Sequence, residues 1–284
     1  MANPNVRAAM IIQNYLPTVG GAERQLASLI PLLSEQGIES VVLTRSRPGQ
    51  PAREFVRCAE IRRVRCVGPK PVQSIMFVIG TLWNLARLRP DVVHGYDTLT
   101  PSLIAGLYKS VTGTPYLTKL LRSGELGDLR RLEIKPLGSL RLRLLKWTVD
   151  RFVVISHDLE RELESRDVGS ERRVFIPNGV DTDRFRPPDG TDEHGSPPDP
   201  AERRRLRQRE LPDWPDGPVA LVVGRISPEK RVIDLARRWP DVRAEHPDAW
   251  LYVIGEGPLE HELDGLTGVR LLGKREDVPL LLRW

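Results

Sequence analysis

At 284 residues the chain is longer than one hydrophobic core usually serves, so two domains are expected. Its 40% hydrophobic and 29% charged residues exclude wholesale disorder and a polytopic membrane protein. A net charge of +5 admits anionic partners such as nucleotides or phospholipid surfaces, whereas aromatics at 6%, not interleaved with a basic stripe, argue against nucleic-acid binding.

The start, MANPNVRAAMIIQNYLP, lacks a cationic region followed by a long apolar core, so no signal peptide is expected. Short β-branched runs then alternate with helical patterns, which predicts βαβ units and a parallel sheet. The expected strands are residues 8–13, 39–44, 62–67, 91–94, 115–118, 152–155 and 173–176. Residues 22–36 read as a helix stopped by Gly37, with Pro31 predicting a kink or early break. SIMFVIGTLW, residues 74–83, is too short to span a bilayer and is expected as a buried helix. Residues 128–147, DLRRLEIKPLGSLRLRLLKW, are basic with apolar residues. They read as a solvated helix packed on the sheet, or as a surface segment that touches anionic lipid. Ser156 is expected to cap the helix of HDLERELES. Cys58 and Cys66 have no metal-ligand spacing, which favours a reducing compartment.

After PNGVDTDRF the composition turns to Pro, Gly and charge, with one short helix expected near residues 202–210. A second alternation follows, with strands at 219–223, 250–254 and 269–272. The expected organisation is a first Rossmann-like domain over 1–180, a linker over 181–218 and a partial second Rossmann-like domain over 219–284. Three strands are few for a doubly wound sheet.

Two places suit an anion. Gly20 and Gly21 follow the first strand and open the first helix, where backbone amides point outward, although the spacing is not a dinucleotide fingerprint. In VVGRISPEKRVIDLARRW, Ser227 and Pro228 suit a helix start, which would place Lys230 in the first helical turn and Val232, Leu235, Ala236 and Trp239 on one face. Arg225 and Lys230 would then stand where the helix dipole disfavours cations, unless an anion lies between them or Glu229 neutralises them.

The stretches GGAERQLASL, DVVHGYD, VVISHDLERELES, RRVFIPNGVDTDRFRP, VGRISPEKRVIDL, LYVIGEGP and VRLLGKREDVP, in this order, resemble the GT-B glycosyltransferases, in particular the retaining group called family 4. The resemblance implies an α/β fold of two Rossmann-like domains with parallel sheets facing across a cleft, the second incomplete here. It implies transfer of a sugar from a nucleoside diphosphate sugar without a metal or other cofactor, with Arg225 and Lys230 clamping the diphosphate. It places Gly20 and Gly21 over the donor, Glu23 beneath that loop on the acceptor side, and His94 near the transferred sugar. Asn178 falls near the domain crossing, and Gly255, Glu256, Gly257, Lys274 and Arg275 line the nucleobase and ribose side.

Asp181-Thr182-Asp183 matches the metal triplet of a different glycosyltransferase fold, but reads here as turn and packing. The implied acceptor is a carbohydrate, a lipid-linked or a small molecule, in the cytoplasm or at the inner face of a membrane. Family members carry two further glutamates, eight positions apart, which contact donor sugar and ribose. The 284 residues contain no such segment, so the expectation is a truncated or split transferase with little turnover. A non-catalytic nucleotide-sugar-binding remnant and a GT-B nucleotide-sugar epimerase are the alternatives.

Overall fold

The computed structural model describes residues 6–17, 20–187, 199–211 and 213–283, without the side chain of Arg203. Residues 18–19 of the first glycine loop, 188–198 of the expected linker, and Trp284 lie outside the described residues. The chain divides into two compact units, Met1–Asn178 and Gly179–Trp284.

In the first unit the order is β1 (Val6–Ile11), α1 (Gly21–Glu35), β2 (Ile38–Arg45), β3 (Arg53–Val56), β4 (Ala59–Val64), α2 (Lys70–Leu88), β5 (Val92–Tyr96) and α3 (Thr100–Thr112). There follow β6 (Tyr116–Lys119), α4 (Asp128–Glu133), α5 (Gly138–Thr148), β7 (Arg151–Val154), α6 (His157–Glu164) and β8 (Arg173–Phe175). The eight strands form one sheet in the order β3-β4-β2-β1-β5-β6-β7-β8, parallel except for the β3–β4 pair.

Alternation along the strands separates two cores. Ala9 and Ile11 of β1 join Phe77 of α2, Ile104 of α3 and Leu145 of α5 on one face. Ala8 and Met10 meet Leu26 and Ile30 of α1 on the other. Each fully buried Phe, Leu or Ile contributes roughly 1.5–3 kcal/mol, so the two faces hold the doubly wound arrangement.

Four local expectations are corrected. The first helix runs unbroken through Pro31. One lost backbone bond is offset by the packing of Leu26, Ala27 and Ile30 against the sheet. The strand expected at 62–67 lies at Ala59–Val64 because it pairs antiparallel with β3, which sequence pattern did not reveal. The connecting residues Arg57 and Cys58 both take positive φ, 49° and 65°, a hairpin geometry that Asn-Gly would have signalled. The apolar run 74–83 lies in α2 but is not buried all round: Ile75 and Ile79 are 59% and 63% exposed. Residues 128–147 form two helices, α4 and α5, with Leu137 at φ 60° between them. Ser156 does cap α6, accepting from the Leu159 amide at 3.4 Å.

The second unit holds α7 (Pro200–Glu210), β9 (Val219–Val223), α8 (Val232–Arg237), α9 (Trp239–Glu245), β10 (Trp250–Ile254), β11 (Val269–Gly273) and α10 (Val278–Arg283). Its described strands make a smaller parallel sheet in the order β11-β10-β9. Ile226, Val232, Ala236 and Trp239 pack on Leu251 and Val253 to form its core.

Candidate functional site

The candidate residues gather at the carboxyl edges of the two sheets, where ligands bind in doubly wound folds.

In the second unit the three turns that follow the strands are laced by backbone hydrogen bonds. Gly224 N–H donates to Ile254 O at 2.9 Å, Ile226 N–H to Glu256 O at 3.1 Å, and Gly255 N–H to Gly273 O at 2.8 Å. The lacing explains the glycines of GEGP: Gly255 has φ 142°, and a Cβ there would strike Gly224 O, while one on Gly257 would strike the backbone of Ile226. The Glu256 contribution is therefore its carbonyl, which fixes the β9 turn.

On that edge Arg225 and Lys230 are both exposed, and among the described residues neither side chain makes a hydrogen bond or an ion pair. Glu229 does not neutralise them, because it too has no ion-pair partner. The expected helix start is corrected. Pro228–Lys230 form a single 3₁₀ turn, Arg231 takes a left-handed conformation at φ 54°, and α8 begins only at Val232. Lys230 thus stands ahead of α8 rather than in its first turn, and the dipole conflict falls away. Ser227 does not cap; its hydroxyl is buried without a partner. The buried face carries Val232, Ile233, Ala236 and Trp239, while Leu235 points outward, because the helix starts late and breaks at Arg238.

Lys274, after β11, is exposed on the same carboxyl edge. Arg275 differs: its guanidinium is held by Asp277, with Nε to Oδ1 at 2.8 Å, which keeps the Asp277 carboxyl below its usual range. Asp181 accepts from the Arg184 amide at 3.0 Å, so the first acid of the DTD triplet closes a turn.

In the first unit Gly20 precedes α1 in extended conformation, and its carbonyl accepts from Arg24 N–H at 3.1 Å. The Glu23 carboxylate folds back toward Gly20, into the space a side chain there would occupy. A Cβ on Gly21 would meet open space.

His94 lies on β5, buried, 4.6 Å from the Tyr96 ring, and its Nε2 has no hydrogen-bond partner. Burial, aided by the Lys119 charge, lowers its pKa to about 3, so the imidazole is neutral near pH 7. A neutral ring with an unmet nitrogen can bond a ligand hydroxyl but cannot serve as a stored acid. Lys119, at the end of the neighbouring β6, donates to Asn178 Oδ1 at 2.8 Å, and burial holds its pKa below the usual lysine value. The structure thus joins Asn178 to a residue that sequence reasoning missed. The available signal was a lysine ending an apolar strand at the carboxyl edge.

Asp97 was missed as well. It ends DVVHGYD in a left-handed conformation, φ 75°, uncommon for a residue with a side chain. Its carboxylate accepts from Leu99 N–H at 2.7 Å, and its carbonyl accepts from Ser102 and Thr118 hydroxyls. Burial, reinforced by Asp128, raises its pKa to about 7.

Between α2, α3 and the α4–α5 pair, and reaching the carboxyl edge at Gln13 and Thr98, lies a cavity of about 600 Å³. Ile75, Val78, Leu103 and Leu144 are among its walls, together with Arg131, Lys135 and Arg141.

Comparison with known proteins bears on both units. The family model described as Glycosyltransferase Family 4 matches residues 19–184, and the model described as Glycosyl transferases group 1 matches residues 217–284. A GDP-mannose-dependent alpha-(1-6)-phosphatidylinositol monomannoside mannosyltransferase of Mycolicibacterium smegmatis is 31% identical over 132 residues, 46% of this chain and 31% of that protein. The 2-deoxystreptamine N-acetyl-D-glucosaminyltransferase of Streptomyces fradiae is 27% identical over 273 residues, 86% of this chain and 60% of that protein. The chain therefore spans less than two thirds of the length of either relative. Among solved structures, sucrose-phosphate synthase of Thermosynechococcus elongatus superposes with a TM-score of 0.71 at 16% identity, covering 98% of this chain and 72% of that one. At this identity the likeness shows the fold, a GT-B arrangement of one large and one smaller parallel sheet.

Proposed function

The chain belongs to glycosyltransferase family 4, whose model matches more than half of it, and on that premise we propose that it binds a nucleoside diphosphate sugar and serves sugar transfer to an acceptor, with retention of anomeric configuration. The observation that carries the reading is the pair Arg225 and Lys230, two cations without acidic partners on the carboxyl edge of the β9–β10–β11 sheet. Free cations on a fixed backbone suit a diphosphate, because guanidinium and ammonium form charge-assisted bonds to phosphate oxygens. The GDP-mannose dependence of the mycobacterial relative supports a donor of this class.

In the proposed step the bond from the anomeric carbon to the diphosphate oxygen breaks, its electron pair staying on the diphosphate. The acceptor oxygen bonds to the anomeric carbon, and its proton passes to the departing diphosphate or to water. Arg225 and Lys230 stabilise the charge that grows on the leaving group, so the positive charge comes from the protein rather than from a metal. The turns at Gly255, Glu256 and Gly257 and at Lys274 and Arg275 line the nucleoside side, with Arg275 positioned through Asp277. Gly20 and Gly21 approach the donor, with Glu23 on the acceptor side of that loop. His94 accepts a sugar hydroxyl on its neutral ring, and the Lys119–Asn178 bond holds the neighbouring strand end. The assigned domain bounds, 1–180, 181–218 and 219–284, belong to this reading.

Two free cysteines suit a reducing cytoplasmic setting. Among the described residues no helix is long and apolar enough to cross a membrane.

Nucleotide-sugar binding without turnover is the second reading. Release of nucleoside diphosphate from a panel of UDP- and GDP-sugars, with and without acceptors, separates the two. Acceptor-dependent release supports transfer. Saturable donor binding with no release supports the second reading, and no binding of any donor contradicts both.

A further inference from the structure

The α2–α5 side of the first unit carries more than packing requires. Val72, Ile75 and Ile79 follow one another along α2 at helical spacing, and all three are exposed, from 45% to 63%. The link from α4 to α5 adds Ile134 and Leu137, and α5 adds Leu140, each more than half exposed. Exposed apolar side chains clustered on elements that border one cavity are seldom left to water on a soluble protein. Between the two elements opens the 600 Å³ cavity, with Ile75, Val78, Leu103 and Leu144 in its walls.

The charges around it are of one sign. Arg131, Lys135 and Arg141 line the cavity, and none of its lining residues is acidic. Among the described residues the side chains of Lys135 and Arg141 make no hydrogen bond or ion pair. From residue 134 to residue 147 the sequence IKPLGSLRLRLLKW contains four cations and no acid, and α2 contains no acid either. The acids nearest in sequence are engaged: Glu133 is held by Arg166 at 2.6 Å, and Asp150 is held by Lys109. Apolar side chains flanked by free cations match the two layers of an anionic bilayer surface, acyl chain beside phosphate.

We propose that the face formed by α2 and the α4–α5 pair docks on an anionic phospholipid membrane. The cavity takes a lipid whose phosphate meets Arg131, Lys135 and Arg141 and whose chain lies along Ile75, Val78 and Leu144. Because the cavity reaches the carboxyl edge at Gln13 and Thr98, a lipid seated there presents its headgroup to that edge. This deepens the proposed function: it rests on the assignment of the first unit to the acceptor and makes the acceptor lipid-borne. Membrane docking is read without donor, so failure of donor binding and failure of docking are separate results.

The test is co-sedimentation of the 284-residue chain with vesicles of phosphatidylcholine alone and of phosphatidylcholine with 30 mol% phosphatidylglycerol, about 30% being enough to give a strong negative surface potential. Binding to the anionic vesicles is expected to exceed binding to the neutral ones by about tenfold or more, and Lys135→Glu with Arg141→Glu is expected to remove that excess. Ile79→Asp should weaken binding at least about threefold, and Arg151→Glu, at the opposite edge of the sheet, should leave it within about twofold. Equal binding to both vesicle types, an unchanged double variant, or an equal loss in Arg151→Glu overturns the proposal. Millimolar glycerol 3-phosphate should not displace the vesicles; displacement would mark a small-phosphate site and also overturn it.

Discussion

The Nζ of Lys119 donates a 2.8 Å hydrogen bond to Oδ1 of Asn178, fastening the carboxyl end of β6 to the last residue of the first unit. Lys119 is only 4% exposed, so this bond stands in for much of the hydration its ammonium gives up. Asn178→Ala leaves a buried cation without that partner and is expected to cost about 1–3 kcal/mol in urea unfolding. Lys119→Met combined with Asn178→Ala should cost less than Asn178→Ala alone, because no charge is then stranded. A double variant as unstable as the sum of the singles would refute the pairing.

His94 gives a pH prediction whose sign follows from burial. Its folded pKa, about 3, lies below the unfolded value of about 6.5, so its contribution is complete above pH 6.5 and is lost as the pH falls toward 3. Between pH 7.5 and pH 5 this site should cost the native state about 2 kcal/mol. His94→Phe should shed that loss, seen as a smaller shift of the urea midpoint between the two pH values. An identical shift in both proteins would mean that His94 is not buried as a neutral ring.

Asp97 acts in the opposite direction. Its folded pKa, about 7, exceeds the unfolded value of about 4, so the native state holds the proton more tightly and its stability falls as pH rises through that window. Asp97→Asn keeps an acceptor for the Leu99 amide and should lose this decline. Urea midpoints at pH 4.5 and pH 7.5 measure it, and the wild-type chain should gain less, or lose more, than the variant on going to pH 7.5.

The glycines of the β10 turn are expected to be intolerant. Gly255→Ala places a methyl group against Gly224 O, and Gly257→Ala places one against the Ile226 backbone, so each should cost about 1–3 kcal/mol and loosen the Arg225 turn. Gly224→Ala meets open space and should be milder by thermal melting. Equal losses at all three positions would contradict the lacing.

Much of this was legible in the sequence because buried parallel strands write themselves as apolar runs: Val219–Val223 and Trp250–Ile254 lie where the runs do. What was hidden depended on conformation that residue type does not announce. Arg57 and Cys58 make a hairpin without glycine, and Arg231 takes positive φ and delays α8. Arg225 and Lys230 could be named from their motif, but their freedom from partners could not. The pairing of Arg275 with Asp277 likewise depends on the folded chain. Lys119 and Asp97 acquire their character from tertiary burial, which no single motif encodes.

In the proposed function Arg225 and Lys230 form a diphosphate clamp. Calorimetric titration of UDP and GDP into the chain and into Arg225→Ala, Lys230→Ala and Arg209→Ala tests it directly. Saturable binding of at least one nucleotide is expected, weakened about tenfold or more by each of the first two substitutions and unchanged by Arg209→Ala. Affinity that survives both Arg225→Ala and Lys230→Ala would contradict it.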